Sequence, residues 1–504
     1  LKDFKTAQLN IKNVTATYNV TATVYHSSLV NSNNSRVQLT GLNYCNISIT
    51  YGHPGWNDTI TITSFLPANY NHKLVANGGD GYESGSPQQQ IDDFFTWGTE
   101  FMHITTNAGH RASPSPEDPW PLAGDGTLND KLVMDFAIVA LHELAIFGKI
   151  LARHFYGGYP AFSYFSGASG GGLQGHNIAL HYPNDFNGIL AVYPALYWSQ
   201  LIFTIGWPAF QMDQEGYYPP ACEIKAITAA FLKTCDPDGL SKYAITSHLD
   251  NCIFDIKTIA GTSIECTPGN NITITDKSTR ILEKAWSGVQ NSTGHKVFQG
   301  YAKGSDLTEG VMKTECDGRA RNCEHSSFDM LTPWLRYFVK QDLTYSVANL
   351  TRDNWDEVYE RSNKGFGSVM DGYDPEGSHM GYDMTELYQS KTKVLNWHGS
   401  WDPIVPAETS TFFFSKLKYR HSNAHDFYRL FICPGGGHSG GGLLTPVKPH
   451  QALINWVEVN SPPDTLEAVG VAPDGREMKR RLCLYPKKIH LRLRRLPQSA
   501  VIQM

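Results

Sequence analysis

The spacing of hydrophobic and polar positions changes several times along the chain, and each change predicts an element. Across residues 37–74 apolar and polar residues alternate around turn signals, as in Thr59-Ile60-Thr61-Ile62-Thr63, which predicts strands. The run Asn77-Gly78-Gly79-Asp80-Gly81 then predicts a loop. Over 132–154, Phe136, Val139, Ala140, Leu144, Phe147 and Leu151 recur at helical spacing, with Asp135 and Glu143 toward the start and Lys149 and Arg153 toward the end, as a helix dipole favours. One helix is expected there, stopping at Gly157-Gly158. A short aromatic strand at 161–165, a glycine-rich turn, a helical run at 173–181 and an apolar strand at 188–192 follow. Strand, helix, strand at this spacing is a parallel α/β unit. The pattern loosens from 198 to 388 and returns as strands at 393–397 and 427–432. The expected organisation is an α/β domain in two parts, 1–200 and 390–486, an insertion at 201–389 and a basic tail at 487–504.

Ser169 stands in Gly167-Ala168-Ser169-Gly170-Gly171, a G-x-S-x-G match between a strand and a helix. A serine hydroxyl is a poor nucleophile until a base takes its proton, and small flanking residues permit the tight turn that lifts it clear of the sheet edge. An acid and then a histidine should follow on loops after late strands. The segment Val394-Leu395-Asn396-Trp397 runs into a turn ending at Asp402, and Leu430-Phe431-Ile432-Cys433 runs into a glycine-rich loop that presents His438. The 36 positions between them leave room for one helix and one strand. Ser169 is therefore the candidate nucleophile, His438 the general base and then acid, and Asp402 the group that orients the imidazole. The amide of Gly170 is one candidate oxyanion donor; Gly78-Gly79 supplies the other, with Gly79 chosen of the two.

Composition narrows the partners. With 41% hydrophobic and 18% charged residues among 504, the chain is ordinary globular protein, neither disordered nor a small disulfide scaffold. The net charge of −6 hides an asymmetry: nine basic residues and one acid lie between Arg476 and Arg495, which leaves −14 on the remainder. An acidic body argues against nucleic acid or an anionic membrane as partner. No stretch has the roughly 18 uncharged apolar residues of a membrane helix. Asn-x-Ser/Thr acceptors at Asn13, Asn19, Asn33, Asn46, Asn57, Asn271, Asn291 and Asn349, together with nine cysteines, predict a mature secreted glycoprotein with its signal removed. Six of the cysteines lie in the insertion, and the odd total leaves at least one unpaired or bonded to another chain.

These residues resemble the fungal tannase and feruloyl esterase family, which also includes a bacterial hydrolase of mono(2-hydroxyethyl) terephthalate. The likeness spans about residues 40–485 and is carried by Ser163 through Gly175, Tyr182-Pro183-Asn184-Asp185-Phe186-Asn187-Gly188, Trp397-His398-Gly399 through Asp402, Phe427-Tyr428-Arg429-Leu430-Phe431, Pro434 through His438, and Trp456-Val457-Glu458. It implies an α/β-hydrolase fold with a large inserted lid domain and a secreted serine carboxylesterase. The expected substrates are esters of aromatic acids, small or linked to plant polymers, cleaved in feruloyl esterase manner with no cofactor consumed. A tannase acting on galloyl esters is the alternative, and a non-catalytic binding glycoprotein on the same scaffold a further one. Aromatic residues such as Trp286, Phe298, Tyr301, Trp334 and Phe338 serve either an aryl pocket or the lid core.

The resemblance breaks at three places. In the family one cysteine precedes the nucleophile and another follows the histidine, joined as a disulfide; here those positions are Ala168 and Ser439. The run Cys235 to Lys242, which matches the family's calcium loop, is one residue shorter than that loop, and Lys242 stands where a third carboxylate is expected. Calcium prefers six to eight oxygens and repels an ammonium, so no metal is favoured; a bound calcium would use Asp236, Asp238 and the Leu240 carbonyl. The resemblance pairs Cys235 with Cys252 around that loop, and Cys316 and Cys323 lie near enough in sequence to close another. No cysteine follows Cys483, where the family has one, and the basic tail reads as a solvated segment.

Overall fold

The structure, a computed structural model, describes residues 9–30, 36–243, 246, 249–318, 320, 322–326, 329–372 and 380–487. Seven strands precede the insertion: β1 (Asn10–Val30), β2 (Arg36–Gly52), β3 (Ile60–Pro67), β4 (Lys73–Asn77), β5 (Met102–Thr106), β6 (Phe162–Ala168) and β7 (Gly188–Val192). The hairpins β8 (Ser263–Thr267) with β9 (Asn270–Thr273) and β10 (Thr314–Cys316) with β11 (Cys323–His325) lie within it. After it come β12 (Lys393–Gly399) and β13 (Tyr428–Cys433). Nine strands form one sheet in the order β1-β2-β3-β5-β4-β6-β7-β12-β13. The six from β5 to β13 run parallel, while β3, β2 and β1 are added antiparallel at one edge. With β1 set aside this is the α/β-hydrolase strand order.

Successive residues of the parallel strands feed two different cores, as the period-two geometry of a strand requires. Leu74, Phe165, Ile189 and Val394 face one; Val75, Tyr164, Leu190 and Leu395 face the other. On the first side the helix Ala140–Tyr156 lies so close that a Cβ at Gly148 would sit 2.7 Å from a Leu74 methyl. On the second, Trp97 and Trp456 cover the sheet.

The single helix expected over 132–154 is in fact interrupted. Asp130–Met134 is α-helical, Asp135–Val139 is a π turn, and Ala140–Tyr156 resumes the α-helix and ends at Gly157 with φ 83°. Hydrophobic spacing does not register a one-residue widening, because the apolar stripe continues on the same side.

Between β7 and β12 the helices Trp198–Glu215, Ala221–Cys235, Asp276–Ser287 and Arg352–Asp371 carry most of the inserted segment. Phe298, Tyr301, Trp334 and Phe338 are buried in its core, with Trp334 stacked on Phe338 at 4.5 Å, so these aromatics pack rather than line an open pocket. Disulfides join Cys222 to Cys266, Cys235 to Cys252 and Cys316 to Cys323. Cys45, Cys433 and Cys483 are buried thiols. Among the acceptor asparagines, Asn13, Asn57, Asn271 and Asn349 are exposed and Asn19, Asn46 and Asn291 half-buried. Asn33 and the tail from residue 488 lie outside the described residues. Asn46 sits between β1 and β3 with its side-chain oxygen buried, a poor position for a glycan.

Candidate active site

The turn that carries Ser169 is built from glycine because nothing larger fits. A Cβ at Gly167 would lie 2.2 Å from the Gly171 carbonyl oxygen, one at Gly170 2.6 Å from that of Gly81, and one at Gly171 2.5 Å from that of Gly79. Ser169 itself adopts φ 56° and ψ −118°, a strained conformation for a residue with a side chain, between the end of β6 and the helix Gly170–His181. Its amide donates to the Val192 oxygen (3.0 Å) and its carbonyl accepts from Ala195 (2.9 Å), so β7 holds the turn from below.

Asp402 follows β12 and His438 follows β13, at the same sheet edge as Ser169, since β6, β7, β12 and β13 are consecutive parallel neighbours. The two loops are sewn together. Ser400 N donates to the Cys433 oxygen (2.9 Å), Trp401 N to the Gly436 oxygen (2.9 Å), and Gly435 N to the Ser400 hydroxyl (2.9 Å). The result is a 2.6 Å hydrogen bond between His438 Nδ1 and Asp402 Oδ2. The other Asp402 oxygen accepts the amides of Ile404 (2.9 Å) and Val405 (2.8 Å). Beneath it lies His398, whose Nε2 donates to the Val405 oxygen at 2.9 Å and stands 3.4 Å from Asp402 Oδ2. Burial alone would raise the Asp402 carboxyl, yet the charge and hydrogen bond of His438, with those of His398, hold it well below the usual carboxylate range. For His438 burial opposes the charged imidazolium, but Asp402 and, at longer range, Asp80 outweigh it and raise the pKa. The pair is thus an ionised acid orienting an imidazole of enhanced basicity.

Sequence reasoning missed Tyr193. Its ring lies 4.5 Å from the His438 imidazole and its edge meets Trp397 at 5.4 Å. The available signal was position: it is the residue after β7, at the edge where the site forms. Gly79 needs a correction. Its amide donates to Gln174 Oε1 at 3.0 Å, which holds the loop against the nucleophile helix, and that of Gly78 to the Ser166 oxygen at 2.9 Å, which holds it to β6. Gly170 remains where the sequence puts it, against Gly81.

The loop expected to be altered for calcium has satisfied itself. Asp236 accepts the amides of Leu240 and Ser241, each at 2.7 Å, and the Lys242 ammonium lies over Gly239. With Asp236 so engaged and a cation folded onto the turn, these residues do not fit a calcium ion.

The chain is similar to known proteins in both sequence and fold. A sequence profile of the family described as "Tannase and feruloyl esterase" matches residues 49–495. The chain is 29% identical to a probable feruloyl esterase of Arthroderma benhamiae, over 89% of this chain and 83% of that one. It is 24% identical to a tannase of Aspergillus oryzae, again over 89% and 83%. Among solved structures, the tannin acyl hydrolase of Aspergillus niger superposes with a TM-score of 0.78 at 22% identity, covering 97% of this chain and 90% of that one. Feruloyl esterase B of Aspergillus oryzae gives 0.74 at 20% identity, covering 97% and 96%. The strand order, the strained serine turn and the match across most of its length place the chain in the tannase and feruloyl esterase family, whose members are carboxylic ester hydrolases.

Proposed function

We propose that the protein is a secreted serine esterase that cleaves esters of aromatic hydroxy acids through Ser169, His438 and Asp402. The observation that carries the reading is the 2.6 Å Asp402–His438 contact at the sheet edge that also presents the strained Ser169 turn. The Ser169 hydroxyl attacks the ester carbonyl while its proton passes to His438 Nε2; the tetrahedral intermediate collapses as that proton moves to the departing alcohol oxygen. Water then attacks the acyl-serine, His438 takes its proton and returns it to Ser169, and the free acid leaves. Asp402 keeps Nδ1 protonated, so that Nε2 is the basic nitrogen. The oxyanion donors in this reading are the amides of Gly170 and of Asp80, the latter replacing Gly79 because the Gly79 amide is spent on Gln174. No step calls for a metal or an organic cofactor.

Feruloyl-type substrates are favoured by the likeness to the Arthroderma benhamiae protein, the more similar of the two relatives compared. Secretion is supported by three disulfides and the exposed acceptor asparagines, and the described residues contain no helix long and apolar enough to cross a membrane. We further propose that the inserted segment, residues 201–389, acts as the lid.

The test is hydrolysis of methyl ferulate and methyl gallate in parallel, with Ser169→Ala as control. Ferulate release that vanishes in the variant is the expected result. Gallate release alone would make the protein a tannase, and no Ser169-dependent turnover of either ester would overturn the reading.

A further inference from the structure

About 19 Å across the sheet from the Ser169 turn, four strand spacings away, lies a second constellation of ionisable groups that the esterase reading leaves unused. His53 and Asp58 belong to the connection between β2 and β3, Asp135 opens the π turn, and Glu143 lies in the first turn of the helix that follows. All three carboxylates are nine-tenths or more buried, at 6%, 0% and 8% exposure in that order. Among the described residues no lysine or arginine forms a salt bridge with any of them, and His53 is the one basic side chain that does. The nearby Lys12 ammonium donates to the Asp58 carbonyl oxygen (2.6 Å) and the Thr59 hydroxyl (2.7 Å), not to a carboxylate.

Each ring nitrogen of His53 meets a carboxylate. His53 Nε2 donates to Glu143 Oε1 at 2.7 Å, and Glu143 Oε2 accepts the Tyr51 hydroxyl at 2.7 Å. A carboxylate on the outer nitrogen fixes the tautomer and raises the basicity of the inner one. That inner nitrogen, Nδ1, lies 2.5 Å from Asp58 Oδ2 and 4.0 Å from Asp135 Oδ1. Asp58 is tied down by the His53 amide, which donates to its Oδ1 at 2.7 Å. Asp135 is different: wholly buried, with neither carboxylate oxygen hydrogen-bonded. An unpaired buried carboxylate costs several kcal/mol, and the ordinary remedy is a proton or a cation.

We propose that His53 Nδ1, Asp58 and Asp135 bind one divalent transition-metal ion of the zinc or manganese kind, with Glu143 and Tyr51 as its outer partners. The three donor atoms lie within 4.8 Å of one another. Ligands about 2.0–2.2 Å from one zinc ion stand roughly 3.3 Å apart, so closure requires the short His53–Asp58 approach to open and the long His53–Asp135 approach to shorten by less than an ångström. One imidazole and two carboxylates suit zinc or manganese better than calcium, which seeks an all-oxygen shell of six or more ligands. The ion ties the β2–β3 connection to the π turn and acts on stability, not on the ester chemistry four strands away along the sheet edge.

The full-length protein, stripped with a chelator and dialysed, is titrated with ZnCl2 and separately with MnCl2, following stoichiometry by native mass spectrometry and thermal unfolding in parallel. One equivalent should bind to the unsubstituted protein and to Ser169→Ala, and saturation should raise the unfolding midpoint by at least about 2 °C. Asp135→Asn and His53→Gln should lose that equivalent and the midpoint rise together. Asp135→Asn is close to isosteric and removes a buried charge, so its metal-free form should melt no lower than the metal-free parent, which checks that it folds. Absence of stoichiometric binding, or equal binding by parent and both variants, would overturn the proposal; the second outcome would mean adventitious surface sites. If instead Asp135 simply holds a proton, neither ion will move the midpoint.

Discussion

Tyr193 lays its ring against His438 at 4.5 Å, the planes inclined by 50°. Where the family has a disulfide from the residue after the histidine to the residue before the nucleophile, this chain has Ser439 and Ala168, and the tyrosine is what grips the histidine loop from the β7 side. An aromatic pair of this kind contributes about 0.5–1.5 kcal/mol. Tyr193→Ala should therefore lower kcat roughly two- to tenfold with a smaller change in KM, and Tyr193→Phe should recover most of it. Steady-state kinetics on an aryl ester separate these, and equal loss in both variants would shift the weight from the ring to the phenol.

Asp80, after Asp402, should contribute to the position of the acid limb of the pH–rate profile. His438 accepts the serine proton only when neutral, so activity falls as pH drops through its pKa, and the raised value places that limb higher than an ordinary histidine would. Removing the negative charge in Asp80→Asn destabilises the imidazolium, lowers the pKa and moves the limb of kcat/KM to lower pH. Because Asp80 is exposed, the displacement should shrink with added salt. An unmoved limb would mean that the Asp80 charge does not reach the imidazole.

Asp402→Asn keeps the shape of the site while removing the charge and offering a donor to Nδ1. The loss expected for such a change in a serine triad is about 10⁴ in kcat, with an unaltered circular dichroism spectrum. A drop of less than about tenfold would assign the orienting role to His398 and the Val405 turn instead.

How much of this could be read beforehand depends on whether a feature rests on local pattern or on contact at a distance. Ser169, Asp402 and His438 were legible because each ends a hydrophobic strand in a glycine-rich or turn sequence, and parallel strands deliver their ends to one edge. Tyr193 was not, since a tyrosine after a strand carries no mark until the imidazole is seen on its face. Gly79 was named for its lack of a side chain, which was sound, but Gln174, 95 positions away, claims its amide. The π turn at Asp135 escaped because the stripe that predicts a helix does not count backbone hydrogen bonds. The pairing of Cys222 with Cys266 had no signal in cysteine order, whereas that of Cys235 with Cys252 followed the family likeness.

The Cys222–Cys266 bond spans 44 positions, a closure that in the chain-entropy picture is worth about 4 kcal/mol. Replacing both cysteines by serine should lower unfolding stability by about 2–4 kcal/mol, read from the denaturant midpoint of the inserted segment's signal. An unchanged midpoint would show that the surrounding helices hold this segment without the link.

The inserted segment also grips the loop that carries Asp402. Tyr301 donates its hydroxyl to the Ile404 oxygen (3.1 Å) and Ser305 its hydroxyl to the Trp401 oxygen (2.7 Å). A Cβ at Gly304 would strike the Trp401 indole at 2.5 Å, and one at Gly310 the Pro403 oxygen at 2.3 Å. If the segment is the lid proposed above, a cover so anchored to the orienting acid cannot swing aside without dismantling the machinery it covers. Substrate must then arrive through a standing aperture, as through a doorway in a fixed wall, and the rate should climb as a plain hyperbola with dissolved ester, with no jump when droplets or micelles form.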